Sequence, residues 1–273
     1  MTSQLFTGYA VAMQPIASGA IVTGTEGLEA GETRVQSGGF ELPAYFARPA
    51  GATIGPVVLV IPEIFGVHEH IKDICRRLAK EGYFAIAPEL YARQGDVAGM
   101  SDMREIIQKV VSKVPDAQVL ADLDATVEYV DSTGKGDTNR LAIVGFCWGG
   151  RVVWLSSAHQ PKLRAGAAWY GKLTPGPYSR PETQPKQPVD VAGELHGAIL
   201  GLYGGKDEGV PLETVEQMRE ALRAAGKDRS CEIVVYPQAG HAFNADYRPS
   251  YHEASAKDAW TRMLAWFKSH GVV

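Results

Sequence analysis

The sequence predicts an α/β fold built on a doubly wound, mostly parallel sheet with helices on both faces. Continuous apolar runs, such as residues 56–62, are typical of strands buried on both faces of a parallel sheet. Apolar residues at i, i+3, i+4 and i+7 follow this run within residues 69–80, and this spacing predicts an amphipathic helix. The same alternation of strand and helix patterns continues to the C-terminus, as parallel sheets require.

The elements can be assigned in order along the chain. Residues 1–39 are predicted to be an N-terminal arm packed on a single domain formed by residues 40–273. Residues 40–49 alternate as an edge strand that tolerates a proline, and Gly82 ends the helix 69–80. The remaining predicted elements are strand 83–88, helix 116–131, strand 141–144, a helix beginning near residue 151, strand 165–170, strand 198–203, helix 212–225, strand 232–236 and helix 251–270.

Composition excludes several classes of protein. The 273 residues are 45% hydrophobic and 21% charged, which is ordinary for a globular chain. A formal net charge of −4 gives no reason to expect nucleic acid or an anionic membrane as a partner. No apolar run reaches the roughly 18 residues that a membrane helix needs, and the N-terminus lacks the basic region of an export signal. We therefore expect a cytoplasmic protein.

The three cysteines fall into two kinds. They show no CxxC or Cys/His spacing, so we expect free thiols in a reducing compartment. Cys75 lies on the apolar face of helix 69–80 and Cys231 opens strand 232–236, so both are predicted to be packing residues. Cys147 differs from these two because of its surroundings.

Cys147 lies in the run Gly145-Phe-Cys-Trp-Gly-Gly150, between an apolar strand and a helical pattern. This order is that of a nucleophile elbow, with cysteine in place of the more usual serine. The flanking glycines suit a turn so tight that a Cβ would collide with neighbouring backbone. The turn exposes the sulfur at a helix N-terminus, whose partial positive charge favours a thiolate.

A thiol nucleophile needs a base, and the base needs an acid that orients it. Asp207 follows the predicted strand 198–203, and His241 follows strand 232–236. Nucleophile, acid and histidine, each in a loop after a strand, follow the chain order of α/β-hydrolase triads. The sequence therefore predicts an α/β-hydrolase fold with Cys147, Asp207 and His241 as the catalytic residues.

The other histidines give no sign of a metal or a cofactor. His68 and His70 flank Glu69 at a helix start, but alternate residues of a helix point about 200° apart, and no third ligand is evident. We expect no metal ion and no cofactor.

These motifs together resemble the dienelactone hydrolase family. The resemblance runs from about Ala44 to the C-terminus and rests on the elbow, the Asp207 and His241 loops, and the segments Ile61-Pro-Glu-Ile-Phe-Gly66 and Glu89-Leu-Tyr-Ala-Arg93. It implies a Cys-His-Asp triad with Cys147 as nucleophile, His241 as general base and Asp207 as its orienter. One departure from the family is Ala242, where many members carry serine beside the histidine.

The resemblance implies four further roles. Glu63 would contact the resting thiol and help to form the thiolate, and Arg93 would bind a substrate carboxylate. The oxyanion hole would be formed by the backbone N–H groups of Ile64 and Trp148.

The irregular segment 172–194 stands out for its prolines, and it leaves the predicted sheet after Tyr170. Long loops inside compact domains are usually functional or mobile. Five prolines reduce its conformational freedom, so it can form a wall without a large ordering cost on binding. We expect it to form one side of the acyl pocket, with Tyr170 and Lys172 nearest the sulfur as substrate-binding residues.

The function predicted best is hydrolysis of a small ester or lactone through a thioester on Cys147. Activated or enol esters are favoured, because a thiolate expels good leaving groups most easily. Two alternatives remain open, a non-catalytic binding protein of the same fold and a cysteine amidotransferase or peptidase. The order of Asp207 and His241, together with the Glu63 segment, favours the hydrolase. The sequence leaves open whether the protein is a monomer or a homodimer.

Overall fold

The structure is a computed structural model that describes residues 20–51, 54–100, 102–176 and 179–273. Over these residues the chain forms one eight-stranded sheet, with strand order β1-β2-β4-β3-β5-β6-β7-β8. The strands are β1 (Leu28–Ser37), β2 (Phe40–Pro49), β3 (Gly55–Ile61), β4 (Phe84–Pro88), β5 (Gly136–Phe146), β6 (Leu163–Trp169), β7 (Ala198–Gly204) and β8 (Glu232–Tyr236).

The described part of the chain contains six α-helices. They are α1 (Glu69–Lys80), α2 (Met103–Lys109), α3 (Asp116–Ser132), α4 (Trp148–His159), α5 (Leu212–Ala224) and α6 (Glu253–Ser269). Strand β8 and helix α1 have the bounds that the sequence predicts, and Gly82, whose φ is +98°, follows two residues after the end of α1. The sequence analysis did not predict α2.

The topology places one crevice at the middle of the sheet. Strands β3 to β8 run parallel, and the chain winds outward from β3 to β4 on one side and from β5 to β8 on the other. Because such crossovers are right-handed, α1 and α4 lie on opposite faces of the sheet. The direction of winding changes between β3 and β5, and ligands of open α/β sheets bind beyond the carboxyl ends of the strands at this point. The predicted doubly wound fold is confirmed.

The antiparallel side of the sheet differs from the prediction. Strand β2 is not an edge strand, because β1, which the sequence analysis included in the arm, pairs with it along its full length. A proline fits inside β2 because the pairing with β4 begins only at Ala44, after Pro43. The first 19 residues of the predicted arm lie outside the described residues.

The start of the described chain packs against α1. The Thr23 N–H donates to Asp73 Oδ1 at 2.5 Å, and the Thr23 carbonyl accepts from Arg76 Nε at 2.8 Å. Asp73 and Arg76 are both buried and also pair with each other. The segment that precedes β1 therefore docks through its backbone onto a charged pair of α1.

The core consists of the central strands and the helix faces that cover them. Every residue of β3 from Val57 to Ile61 is at most 2% exposed, and burying each such side chain contributes about 1.5–3 kcal/mol. Cys75 and Cys231 are buried free thiols, so their prediction as packing residues is confirmed. Burial raises the pKa of both thiols, which keeps them protonated and unreactive.

Candidate active site

Cys147 occupies the turn between β5 and α4 with φ of 55° and ψ of −112°. Its N–H donates to the Trp169 carbonyl at 3.0 Å, and its own carbonyl accepts from Gly150 N at 3.0 Å. A side chain is strained in this left-handed backbone region, at a cost of about 1–3 kcal/mol. The hydrogen bonds on both sides of the residue hold the strained turn in place.

The two glycines around Cys147 permit a close approach of α4 to the sheet. A Cβ at Gly145 would overlap the carbonyl of Gly149, and a Cβ at Gly149 would overlap the carbonyl of Ile61 at the end of β3. The first turn of α4 therefore rests directly on backbone. This contact sets the height at which the sulfur stands above the sheet.

His241 and Asp207 form the pair that the sequence predicts. The Nδ1 atom of His241 lies 2.8 Å from Asp207 Oδ2. The other carboxylate oxygen of Asp207 accepts hydrogen bonds from the N–H groups of Gly209 at 2.8 Å and Val210 at 3.1 Å. The Asp207 side chain is fully buried. Because the carboxylate is held on both oxygens, it fixes the imidazole ring and leaves Nε2 for the reaction.

The protonation of the His241 imidazole depends on the charge of the Cys147 sulfur. Burial alone would lower the pKa of His241, but the negative charge of Cys147 and hydrogen bonds to Asp207 and Cys147 raise it to about 10. The imidazole beside a negatively charged sulfur therefore keeps its proton at neutral pH. A thiolate paired with an imidazolium is the activated form of a cysteine nucleophile.

A cavity of about 200 Å³ opens directly above Cys147 and His241. Its wall is mainly apolar and also includes Ile64, Met103, Ile107, Val111, Ser112, Trp148, Arg151, Tyr170, Lys172, Ser179, Gln184, Gln187 and Gly209. The proline-rich segment contributes four of these residues, which agrees with the position expected for it. Tyr170 packs edge-on against the His241 ring, with centroids 5.2 Å apart.

Backbone strain is concentrated around this cavity. Among the described residues other than glycine, positive φ occurs only at Cys147 (55°), Tyr170 (40°) and Ala242 (58°). These residues follow β5, β6 and β8, and one of them is the alanine that departs from the family pattern. Strained backbone of this kind is typical of functional sites.

The sequence analysis missed the opposite wall of the cavity. Helix α2 supplies Met103 and Ile107, and its start is capped by Asp102, whose carboxylate accepts the N–H groups of Arg104 and Glu105. The pattern of Asp102 with Glu105 three residues later is the helix-start signal that could have revealed it.

Arg151 joins the cavity wall to the elbow. Its guanidinium forms two hydrogen bonds to the Asp116 carboxylate, at 2.7 and 2.8 Å. It also donates to Gln187 Oε1 at 2.9 Å and to the Lys186 carbonyl at 2.7 Å. All these groups are brought together by the fold from distant parts of the sequence, so no local pattern indicated the contact.

Glu63 is buried in the loop after β3 and contacts the loop that follows His241. Its Oε2 accepts from the Tyr247 hydroxyl at 3.1 Å, and its Oε1 lies 3.9 Å from Arg248 Nη1. Oε1 is buried and has no hydrogen bond in the described structure. Tyr247 and Arg248 come from the loop after His241, and sequence reasoning missed both.

The structure does not bring Arg93 to the cavity. Its guanidinium donates to Asp122 Oδ2 at 2.5 Å and to the Ser37 carbonyl at 2.8 Å, and it lies 4.6 Å from the centre of the Phe40 ring. These contacts tie α3 to the β1–β2 hairpin. Its donors serve this structural link, and its role in substrate binding stays a prediction.

The remaining predicted positions have distinct surroundings. Ile64 and Trp148 both border the cavity. Ile64 follows β3, and Trp148 is the first residue of α4, where backbone N–H groups have no partner within the helix.

His68 and His70 lie at the start of α1. His70 pairs with Asp246 at 3.5 Å, and burial lowers the pKa of His68 well below its usual value. Of the helices described, none combines the length and apolarity needed to cross a bilayer.

This arrangement can be compared with known proteins. The family model of the dienelactone hydrolases matches residues 42–271. The chain belongs to the dienelactone hydrolase family. It is 56% identical to a Methylorubrum extorquens protein named as a carboxymethylenebutenolidase, over 100% of this chain and 92% of that protein. An Escherichia coli K12 protein with the same name is also 56% identical, over 97% of this chain and 96% of its own length.

A solved structure gives the same assignment. A Klebsiella pneumoniae protein named as a dienelactone hydrolase superposes with a TM-score of 0.85 at 58% identity, over 88% of this chain and 98% of that one. This dienelactone hydrolase family member is therefore a carboxylic ester hydrolase with the α/β-hydrolase fold, as predicted.

Proposed function

We propose that the protein hydrolyses lactones or activated carboxylic esters through a thioester on Cys147. The observation that carries the proposal is the His241–Asp207 pair, 2.8 Å apart, beside a thiol on a strained elbow in one cavity. A relative from Bradyrhizobium, 32% identical over 83% of this chain, is named as a lactonase acting on a 2-oxo-3-(5-oxofuran-2-ylidene)propanoate. This name supports a lactone as one form of the substrate.

In the proposed first step, the thiolate of Cys147 attacks the carbonyl carbon and the carbonyl oxygen takes up the negative charge. The N–H groups of Ile64 and Trp148 stabilise this oxyanion. The carbon–oxygen ester bond then breaks, and the leaving oxygen takes a proton from Nε2 of His241. The raised pKa of His241, about 10, supports this order because the ring starts the reaction protonated. The products are an alcohol or enol and the thioester.

In the second step, neutral His241 removes a proton from water as the water oxygen attacks the thioester. The carbon–sulfur bond breaks, and the sulfur leaves as the thiolate that pairs with the imidazolium again. Asp207 keeps the ring in one orientation through both steps. In a lactone the leaving oxygen belongs to the acyl chain, so ring opening leaves one product.

Glu63 is proposed to act on the resting sulfur. Its Oε1 is buried without a hydrogen bond, so it can accept a proton from a thiol that turns towards it. The Tyr247 hydroxyl donates to Oε2, and the Arg248 guanidinium lies 3.9 Å from Oε1, so both support the negative charge of the carboxylate. Thiolate and carboxylate repel each other when both are ionised, so this contact would belong to the thiol form.

The volume and the lining of the cavity indicate the size and polarity of the acyl group. Ile64, Met103, Ile107, Val111 and Trp148 give it an apolar body, and about 200 Å³ admits a small or medium acyl chain. Tyr170 and Lys172 border the same space and are proposed as substrate-binding residues. The three free thiols support a reducing compartment, and we propose the cytoplasm.

Replacing Cys147 with alanine tests this proposal. Cys147→Ala should abolish turnover of p-nitrophenyl acetate without loss of thermal stability, because the residue lies in the turn and not in the core. Cys75→Ala and Cys231→Ala are matched controls that should keep the parent kcat at some cost in stability. An unchanged kcat in the folded Cys147→Ala protein would refute the nucleophile.

A further inference from the structure

The loop after β3 is held in place by a carboxylate from outside the cavity. Glu89, the first residue after β4, accepts the Val67 N–H on its Oε2 at 2.7 Å. Val67 lies three residues beyond Ile64, in the loop that leads from β3 to α1. Glu89 itself is not among the residues that border the cavity.

The shape of this loop is fitted to the Glu89 carboxylate. Gly66 has a φ of +73°, and a Cβ built there would lie 2.6 Å from Oε2 and 2.9 Å from Oε1 of Glu89. The carbonyl of Gly66 accepts the His68 N–H at 3.0 Å and closes a tight turn. The turn therefore wraps around the carboxylate, and only glycine fits at its closest point.

Glu89 is an unusual group to find in this position. Its Oε1 is buried and has no hydrogen bond in the described part of the chain. Burial raises the pKa of Glu89 to about 7, although the backbone N–H groups of Val67 and Tyr91 oppose this effect. Glu89 does not border the cavity, so its role in the site must come from its contacts with the loop after β3.

The segment that carries Glu89 holds the same loop at a second point. The Tyr91 hydroxyl donates to the Glu63 carbonyl at 3.1 Å, next to Ile64 in the chain. The loop is thus anchored at Glu63 and at Val67, on either side of Ile64, which borders the cavity. Donors to an oxyanion act only when they are fixed before the charge forms.

We infer that Glu89 is a positioning residue that orients the Ile64 N–H towards the oxyanion. The inference rests on the proposed function, since it assumes that the Ile64 N–H binds the carbonyl oxygen in the transition state. Loss of one oxyanion donor reduces kcat by about 10²–10³-fold. A donor that is only displaced should cost about tenfold or more in kcat, with little change in KM.

The test compares Glu89→Ala and Glu89→Gln with Glu81→Ala, which removes an exposed carboxylate at the far end of α1. With p-nitrophenyl acetate, Glu89→Ala should lower kcat about tenfold and leave KM within about threefold of the parent. Glu89→Gln should restore most of the loss because its amide oxygen can still accept the Val67 N–H. Glu81→Ala should behave as the parent protein.

An aldehyde inhibitor provides a second measurement. The Cys147 thiolate adds to the aldehyde carbon, and the carbonyl oxygen becomes the oxyanion of a hemithioacetal. Glu89→Ala should weaken this inhibitor by about the factor lost in kcat, while the rate of Cys147 alkylation by iodoacetamide stays unchanged.

Each outcome decides a separate point. A folded Glu89→Ala protein with the parent kcat and inhibitor affinity would overturn the inference. If Glu89→Ala does not fold, Glu89→Asp takes its place, because its shorter side chain cannot reach Val67, and a parent kcat there would overturn the inference equally. Absence of turnover in the parent protein would instead refute the proposed function.

Discussion

The nucleophile turn and the cavity wall that the proline-rich segment 172–194 contributes are held in place in different ways. At the turn the constraint is backbone on backbone, since Gly149 rests on the carbonyl of Ile61 and Cys147 has a φ of 55°. The wall is held by side chains, through the bonds of Arg151 to Asp116 and Gln187. The comparison shows that the reacting atom is fixed by local chain geometry, whereas the shape of the substrate space depends on long-range pairs.

The largest effect on catalysis is expected where backbone approaches backbone. Gly149→Ala would force a methyl group against the carbonyls of Ile61 and Pro62, which cannot move without shifting β3. We expect a loss of about 1–3 kcal/mol or more in unfolding free energy, together with loss of esterase activity. Urea unfolding and a p-nitrophenyl acetate assay measure the two effects.

Gly31→Ala is the matched control, because no atom lies within 4 Å of a Cβ added there. It should unfold at nearly the parent urea concentration. If Gly149→Ala were as stable and active as Gly31→Ala, the elbow would not depend on this close contact.

The next effect concerns the acid of the triad. Asp207→Asn removes the charge that helps to raise the pKa of His241 to about 10, so this pKa should fall. The imidazole also loses the partner that fixes its tautomer, and kcat should drop by about 10²–10⁴-fold. Iodoacetamide alkylation followed against pH should show the thiolate of Cys147 forming at higher pH than in the parent.

Asp124→Asn is the corresponding control, since Asp124 accepts from His159 at 2.7 Å in an exposed pair away from the cavity. Its kcat and alkylation profile should match those of the parent. Equal kcat values for Asp207→Asn and Asp124→Asn would remove Asp207 from the mechanism.

The smallest effect on catalysis is expected at the wall. Arg151→Met leaves Asp116 and Gln187 without their shared donor, so the segment near Gln187 should loosen. Stability should fall by about 3–5 kcal/mol because a buried partner charge remains. The ratio of kcat/KM between acetyl and longer acyl esters should change several-fold, while the alkylation rate of Cys147 stays the same.

Arg140→Met provides a comparison for this variant, as Arg140 pairs with Asp137 in a partly exposed site at the start of β5. It should keep the parent preference for acyl chain length. An unchanged preference in folded Arg151→Met would mean that the wall does not depend on this arginine.

The same contrast explains what the sequence could and could not predict. The elbow and the Asp207 and His241 loops appear as short local patterns, so their places in the fold were predictable. Strand β1 was missed because most of its residues are exposed or only partly buried, so the sequence shows no continuous apolar run there. The role given to Arg93 did not anticipate Asp122, which lies on α3 and meets it only in the folded chain.

The most direct test of the central claim is to trap the acyl group on the protein. The protein would be mixed with p-nitrophenyl acetate, quenched in acid within the first turnovers, digested and examined by mass spectrometry. The account predicts one acetyl group on the peptide that contains Cys147, released by neutral hydroxylamine as a thioester should be. An acetyl group on any other residue, or steady turnover with no acyl-Cys147 in the parent and full activity in Cys147→Ala, would contradict it.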